Sequence, residues 1–412
     1  MPLTSHGGDV VSRAPGKLYI AGEYAVVEPG HRAVLVAVDR FITVRITPCS
    51  PAGGYAGTIS SRLYDTGSRP WRHRPQDGQA EAVGGDDDYV ISAIRVVEAL
   101  VAEGGGRLGS FNLGISSELD EADGRKLGLG SSSAVTVATV RAVAVFYGLA
   151  ADDLTVYKLA MLASDTVQPI GSGGDIAASA MTGWVAYTSP DRAWLRRARQ
   201  RARVGGSVSD LVEADWPGLS VRRLPSPSLR LQVGWTGAPA STPALVADVQ
   251  TRSHGADDYA VFLRDSQDCL ARLITAIEDD DAARIMRQIA RNRALLAGLS
   301  RIGGRTIETT ELARLVEIAL DHGATAKSSG AGGGDCGIAL CPPTVDAPAM
   351  CTAWEAAGIA PLDLAVHSRP EGRLINRPAG STGPAFPVRS DPAAAPADPA
   401  RFTGPAESER AS

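Results

Sequence analysis

The chain has few of the residues that build disulfide frameworks, metal clusters or base-stacking surfaces. Its five cysteines are odd in number and contain no C-x-x-C pair, and its six histidines show no metal-ligand spacing. Aromatic residues make up only 5% of the 412 residues, which argues against a stacking platform for nucleic acid. The cysteines are therefore predicted to be free thiols in a reducing cytoplasm.

Long basic blocks and membrane-spanning apolar runs are also missing. The formal net charge is −5, which argues against a general nucleic-acid binder. The N-terminus shows no basic region followed by an apolar run, so no signal peptide is expected. The long apolar run at 134–151 carries Arg141 and several threonines, which favours a buried helix over a membrane span. We expect a cytoplasmic protein with no nucleic-acid or membrane partner, either a monomer or a homodimer.

A glycine- and serine-rich stretch, KLGLGSSSAV at 126–135, stands out among the residues that are present. Gly128 and Gly130 allow the backbone to approach a ligand closely, and Ser131–Ser133 lie where a helix begins and its N–H groups lack partners. This pattern predicts a phosphate-binding loop, with a flexible loop before a core helix as the alternative. One of these three serines is expected to ligate Mg²⁺. The sequence leaves open which serine this is, and Ser132 is chosen as the candidate.

Two further motifs accompany this loop: APGKLYIAGEY at 14–24 and KSSGAGGGDCGIAL at 327–340. In the first, Lys17 follows a predicted Pro15–Gly16 turn; the second is a glycine-rich arch followed by a strand. In this order and spacing the three motifs resemble the signatures of the GHMP kinase superfamily. No Walker-type phosphate loop occurs in the sequence.

The predicted elements give an α+β fold with two domains. The resemblance implies an N-terminal domain like domain 2 of ribosomal protein S5, over 1–225, and a ferredoxin-like C-terminal domain over 226–370. The Pro-, Ala- and Gly-rich residues 371–412 are predicted to be a disordered tail. Strands are predicted at 10–13, 17–24, 33–46, 111–117, 229–235, 336–341 and 362–367. Helices are predicted at 89–103, 134–151, 154–164, 255–279, 281–299 and 307–322, with a hairpin-bearing loop at 49–88 and a polar helical excursion at 190–215.

The resemblance also implies ATP and Mg²⁺ as cofactors and a site between the two domains. It assigns the phosphates of ATP to Gly128, Leu129, Gly130, Ser131, Ser132 and Ser133. It assigns catalysis to Lys17 and Asp175, which are expected to pair with each other. Because two polyanions must come together, Lys126 is also expected to act in catalysis, between the donor and acceptor phosphates, with a loop lysine facing water as the alternative. Contacts to the small-molecule substrate are expected from Tyr24, Ser172, Gly173, Ser329, Gly330, Ala331 and Gly332. Glu23 is expected to act near Mg²⁺ or behind the site, and Asp335 to be structural.

Within the superfamily, GWTGAPASTPALV at 234–246 and GSGGDIAAS at 171–179 point to one branch. Together with the glycine arch they resemble the enzymes whose acceptor is 5-phosphomevalonate. Phosphorylation of mevalonate or another small molecule remains the alternative, and a decarboxylating relative is more distant. A non-catalytic sensor is disfavoured because Lys17 and Asp175 are both present. Ser241 and Thr242 either bind substrate or cap a helix.

Overall fold

The computed structural model describes residues 8–61, 67–85, 88–120, 125–169, 171–203, 206–237 and 257–368. Within these ranges the first part of the chain forms an eight-stranded sheet around a long central strand. Its strands are β1 (Val10–Ala21), β2 (Arg32–Pro48), β3 (Gly57–Ser61), β4 (Ser68–His73), β5 (Ala80–Ala82), β6 (Phe111–Ser117), β7 (Trp184–Thr188) and β8 (Ser220–Leu224). The order is β5-β4-β3-β6-β2-β7-β8, and β1 pairs antiparallel with β2.

Helices cover this sheet, and two of them begin at or next to predicted site residues. They are α1 (Tyr89–Glu103), α2 (Ser131–Phe146), α3 (Asp153–Val167), α4 (Gly174–Met181), α5 (Arg192–Arg203) and α6 (Val208–Glu213). Helix α2 packs against β1 and β2 as well as against α1, α3 and α4. Its residues are apolar almost all round, as expected for a helix surrounded by protein. The first turn of α2 is thereby held beside β1.

The second part of the chain forms a four-stranded sheet with its own helices. The strands are β9 (Arg230–Trp235), β10 (Thr325–Ser328), β11 (Cys336–Cys341) and β12 (Ala360–Leu362), in the order β10-β11-β9-β12. The helices are α7 (Asp257–Glu278), α8 (Ala282–Gly303), α9 (Thr310–Asp321) and α10 (Ala347–Ala356). No helix in the described ranges has the length and apolar character that crossing a membrane requires.

Several predicted elements are confirmed, and others differ for physical reasons. Helix α1 and strand β6 have the predicted bounds. Pro15 and Gly16 form no turn: β1 runs through them with an irregular register, because Gly16 packs against Leu129. Helix α2 ends at Phe146 rather than at 151, since Gly148 takes a positive φ of 70°.

The last described residues return from the second sheet to the first. The predicted strand at 362–367 is instead the short β12, after which the chain lies along β2. The N–H of His367 donates to the carbonyl of Ala37 (2.9 Å), and Gly183 N–H donates to His367 (2.7 Å). The proposed division at 225/226 stays a prediction, and the predicted tail lies outside the described residues.

Candidate active site

A cleft of about 630 Å³ lies where the three predicted motifs meet. Its walls come from β1, the loop before α2, the arch between β10 and β11, and the ends of α3, α4 and α5. The predicted site residues that line it are Lys17, Tyr24, Lys126, Gly128, Gly130, Ser131, Ser132, Ser133, Ser172, Gly173, Asp175, Ser329, Gly330 and Ala331. Residues some 300 positions apart in sequence are thus brought to one place.

The loop before α2 has the form of an anion cradle. Gly130 is the N-cap with φ 83°, and no side chain caps the N–H groups that follow it. These N–H groups and the positive end of the helix dipole therefore remain available for an anionic ligand. The φ of Gly130 favours glycine, and a Cβ added there would lie 2.7 Å from Cε of Lys17, so this side chain would have to shift.

Lys17 lies between this cradle and the start of α4. Its Nζ donates to the carbonyl of Gly128 (3.3 Å) and is 3.4 Å from Oδ2 of Asp175. Its backbone N–H donates to the carbonyl of Leu129 (2.8 Å), which fixes β1 against the loop. Lys17 is 6% exposed, so this ammonium is held in place and faces the cleft.

Asp175 occupies the first turn of α4, where the helix dipole favours a carboxylate. The loop before it is fixed by Ser172, whose Oγ is 3.0 Å from the hydroxyl of Tyr19 and accepts from Gly174 N–H (3.2 Å). Burial, followed by the charge of Asp175, raises the pKa of Tyr19 well above its usual value. Tyr19 is therefore a neutral hydroxyl at neutral pH.

The arch after β10 is fastened to β1 and to the residues that follow it. The Ser329 hydroxyl accepts from the N–H of Tyr19 (2.9 Å) and donates to the carbonyl of Tyr19 (3.0 Å). The Tyr24 hydroxyl donates to the carbonyl of Ala331. Ser329 thus joins the arch to β1 through two hydrogen bonds. Its contact with substrate stays a prediction.

Glu23 forms a fully buried ion pair with Lys327, which also donates to the carbonyl of Ser328 (2.6 Å). The pair joins the end of β1 to β10. The second carboxylate oxygen of Glu23 is buried and has no hydrogen-bond partner. Glu23, which also lines the cleft, therefore holds the two parts of the chain together from behind the site.

The chain contains four lysines, at 17, 126, 158 and 327, against 41 lysines and arginines together. Lys17, Lys158 and Lys327 are buried at 6%, 7% and 0% exposure, whereas Lys126 is exposed at the rim of the cleft. Lys126 has no ion-pair partner among the described residues. Its ammonium is thus available to an anionic ligand.

Two predicted site residues do not line the cleft. Leu129 is buried and offers only its carbonyl to Lys17. Gly332 is pressed against the backbone of Ile307, which receives the N–H of Gly333 (2.8 Å). Asp335, predicted to be structural, lies against Gly128 and also lines the cleft.

Sequence reasoning missed six polar residues of the cleft: Tyr19, Tyr89, Ser164, Asp165, Gln168 and Arg192. Tyr19 could have been found, since it is two positions from Lys17 on one strand and shares its face. The remaining five lie on helices, or directly after one, whose approach to the cleft depends on tertiary packing. Residues 238–256, which include Ser241 and Thr242, lie outside the described residues.

The oxygen atoms that line the cleft suit a Mg²⁺ ion that is held mainly by a bound small molecule and by few protein atoms. Within the described ranges no group of three or more His, Cys, Asp and Glu side chains could hold a metal. Mg²⁺ usually takes one or two protein oxygens and completes its shell with phosphates and water. The hydroxyl of Ser132, which is exposed in the cradle and lines the cleft, is an oxygen of this kind.

Comparisons with known proteins agree with this geometry. The family model for the GHMP kinases N terminal domain matches residues 88–183, and that for GHMP kinases C terminal matches residues 273–360. A phosphomevalonate kinase from Streptomyces sp. (strain CL190) is 44% identical over 378 residues, which cover 88% of this chain and 98% of that protein.

Two solved structures share the fold over most of their length. A Lin0012 protein from Listeria innocua superposes with a TM-score of 0.80 at 32% identity, covering 88% of this chain and 98% of that one. Phosphomevalonate kinase from Streptococcus pneumoniae, solved with phosphomevalonate and AMPPNP, gives a TM-score of 0.73 at 29% identity. That match covers 87% of this chain and 100% of the other.

Proposed function

The chain belongs to the GHMP kinase family and has its two-domain fold, and we propose that it is a phosphomevalonate kinase. It transfers the γ-phosphoryl group of ATP to the phosphate of 5-phosphomevalonate, giving ADP and 5-diphosphomevalonate in the mevalonate pathway of isoprenoid synthesis. The observation that carries this function is the Lys17–Asp175 pair beside the Gly128–Ser133 cradle, in a chain 44% identical to a phosphomevalonate kinase.

The cradle is assigned to the phosphates of ATP. The uncapped N–H groups at the start of α2 donate to phosphate oxygens, and the helix dipole adds favourable potential. Gly130 keeps the backbone close to Lys17, so that the ammonium lies beside the transferred group. A preorganised cation at this place stabilises charge as it develops on the phosphoryl oxygens.

Charge neutralisation is the main demand of this reaction, because donor and acceptor are both anionic. The second pKa of a phosphate monoester is about 6, so the acceptor is mostly a dianion at neutral pH without a base. Lys17 and Lys126 both line the cleft and supply cations, and Lys126 is assigned to the space between the two phosphates. Asp175 then orients Lys17 rather than removing a proton.

Mg²⁺ is assigned to the nucleotide phosphates with Ser132 as its protein ligand. When bound, the ion neutralises charge on the phosphates of ATP. Glu23 is not assigned to the metal, because one of its oxygens is taken by Lys327 and the other is buried. The protein itself contributes orientation and fixed cations.

The test is to incubate the purified chain with Mg-ATP and, separately, 5-phosphomevalonate, mevalonate or homoserine, and to identify the products by mass. We expect 5-diphosphomevalonate from the first acceptor and at least 100-fold less product from the other two. These two acceptors lack the phosphate that the site neutralises, and the lost interaction is worth ~3 kcal/mol. Equal turnover of mevalonate would overturn the assignment of acceptor, and ATP binding without any product would indicate a sensor.

A further inference from the structure

A buried ionic cluster on the wall between α3 and α5 has no part in the transfer described above. Asp165 lies in the last turns of α3, and its side chain is 3% exposed. It forms ion pairs with two arginines. Nη2 of Arg192 donates to Oδ1 of Asp165 (2.6 Å), and Arg199 pairs with the other oxygen. One carboxylate thus pairs with two guanidinium groups.

Arg192 is the member of this cluster that faces the cleft together with Asp165. Its Nη2 also donates to the carbonyl of Pro169 (2.6 Å), while Nη1 contacts only the sulfur of Met161 (3.8 Å). Its other N–H groups meet no oxygen acceptor among the described residues. Nη2 of the guanidinium is therefore anchored by protein, and Nη1 and Nε remain free to donate to an oxygen of a ligand.

This cation is separate from those of phosphoryl transfer. Lys17 contacts Gly128 and Asp175, and none of these residues contacts Arg192. Gly173 also lines the cleft, and a Cβ added to it would meet Met161 at 2.8 Å. The cleft thus offers fixed positive charge on two walls, which suits a substrate with an anionic group at each end.

We infer that Arg192 binds the carboxylate of the acceptor, an inference that rests on the proposed function. 5-Phosphomevalonate carries a phosphate at one end and a carboxylate at the other. For transfer, its phosphate has to lie beside Lys17, next to the ATP phosphates in the cradle, which directs the carboxylate to the α3–α5 wall. The free Nη1 of Arg192 can donate a charge-assisted hydrogen bond to this carboxylate, and Asp165 is the positioning residue that fixes the orientation of the guanidinium.

The experiment measures steady-state kinetics of the full chain and of Arg192→Gln, Arg192→Lys and the matched control Arg196→Gln. Arg196 lies one turn along α5, is exposed, and is not a cleft residue. Arg192→Gln is expected to raise the KM for 5-phosphomevalonate about 10- to 100-fold, as for a lost charge-assisted hydrogen bond. The KM for ATP should change less than about twofold, Arg192→Lys should be intermediate, and Arg196→Gln should match the unaltered chain.

A second probe identifies the end of the substrate that Arg192 contacts. 3-Methylbutyl phosphate has the phosphate and the branched chain but no carboxylate, and serves as a competitive inhibitor. Its Ki should be the same in the unaltered chain and in Arg192→Gln, because the contact removed involves the missing group. An equal loss of affinity for inhibitor and substrate would overturn the inference, and so would an unchanged KM for 5-phosphomevalonate.

Failure of the proposed function gives a different result. If the unaltered chain forms no product from 5-phosphomevalonate, the proposed function fails before any variant is compared. If it forms product and Arg192→Gln keeps its KM, the function stands and the carboxylate assignment fails. Thermal unfolding of each variant shows whether a raised KM comes with loss of structure.

Discussion

At the scale of the residue, the cleft is organised by fixed cations with different partners. Lys17 is paired with Asp175 and a loop carbonyl, Lys126 has no ion-pair partner among the described residues, and Arg192 is anchored by Asp165 on one edge. Each arrangement suits a different anion: the transferred group, the space between two phosphates, and a carboxylate. Charge is distributed along the expected path of the substrate.

A first prediction compares these cations with the carboxylate. Lys17→Met and Lys126→Ala are each expected to lower kcat by roughly 10²–10³-fold, the range for losing a preorganised electrostatic group. Asp175→Asn keeps the shape and a hydrogen bond to Lys17, so we expect a loss below about tenfold. Measuring kcat at saturating substrates decides the ranking. A larger collapse for Asp175→Asn would give that residue the role of a base.

At the scale of the element, helices and strands with a clear hydrophobic periodicity could be predicted from the sequence. How these elements pack against one another could not. Helix α1 and strand β6 follow from their own residues, because periodicity and the flanking turns fix both ends. The cradle at 128–133 was predictable for the same reason. The wall that carries Arg192 was not, because it depends on how α3 and α5 pack, and no local pattern encodes that approach.

The arch offers a matched pair of glycines for a second prediction. Gly330 (φ 84°) has nothing within 4 Å of an added Cβ, whereas Gly332 (φ 71°) would place one 2.2 Å from the Ile307 carbonyl oxygen. Gly330→Ala is expected to cost about 1–2 kcal/mol of unfolding free energy, from the left-handed backbone alone. Gly332→Ala should cost at least about 2 kcal/mol more, through the added overlap.

Chemical denaturation of both variants measures this difference directly. Because both positions require a positive φ, subtracting one cost from the other isolates the contact with Ile307. Equal destabilisation of the two variants would show that the arch moves away from Ile307 at no cost in unfolding free energy.

At the scale of the whole molecule, the two sheets are joined at several places around the cleft. The Glu23–Lys327 pair, the Ser329 hydroxyl and the segment ending at Ser368 each connect the second part of the chain to the first. Three of the five cysteine side chains are also buried in the folded chain. Cys269, Cys336 and Cys341 are buried, while Cys49 and Cys351 are partly exposed.

A third prediction concerns the reactivity of these thiols. Burial, reinforced by the charge of Asp335, raises the pKa of Cys336 to about 12, and burial raises those of Cys269 and Cys341 to about 11. A raised pKa lowers the thiolate fraction, so at pH 8 these three react slowly with a disulfide reagent. We expect at most two rapidly titrated thiols in the native chain and all five after denaturation. Three or more rapid thiols would contradict the burial described here.

The distribution of the four lysines has a practical consequence. With Lys17, Lys158 and Lys327 buried, an acylating reagent that seeks side-chain amines finds Lys126 as the accessible one. Attaching this protein to a resin or a dye through its lysines would therefore tether it by the mouth of its own cleft. An immobilised preparation that keeps its activity calls for coupling through another side chain.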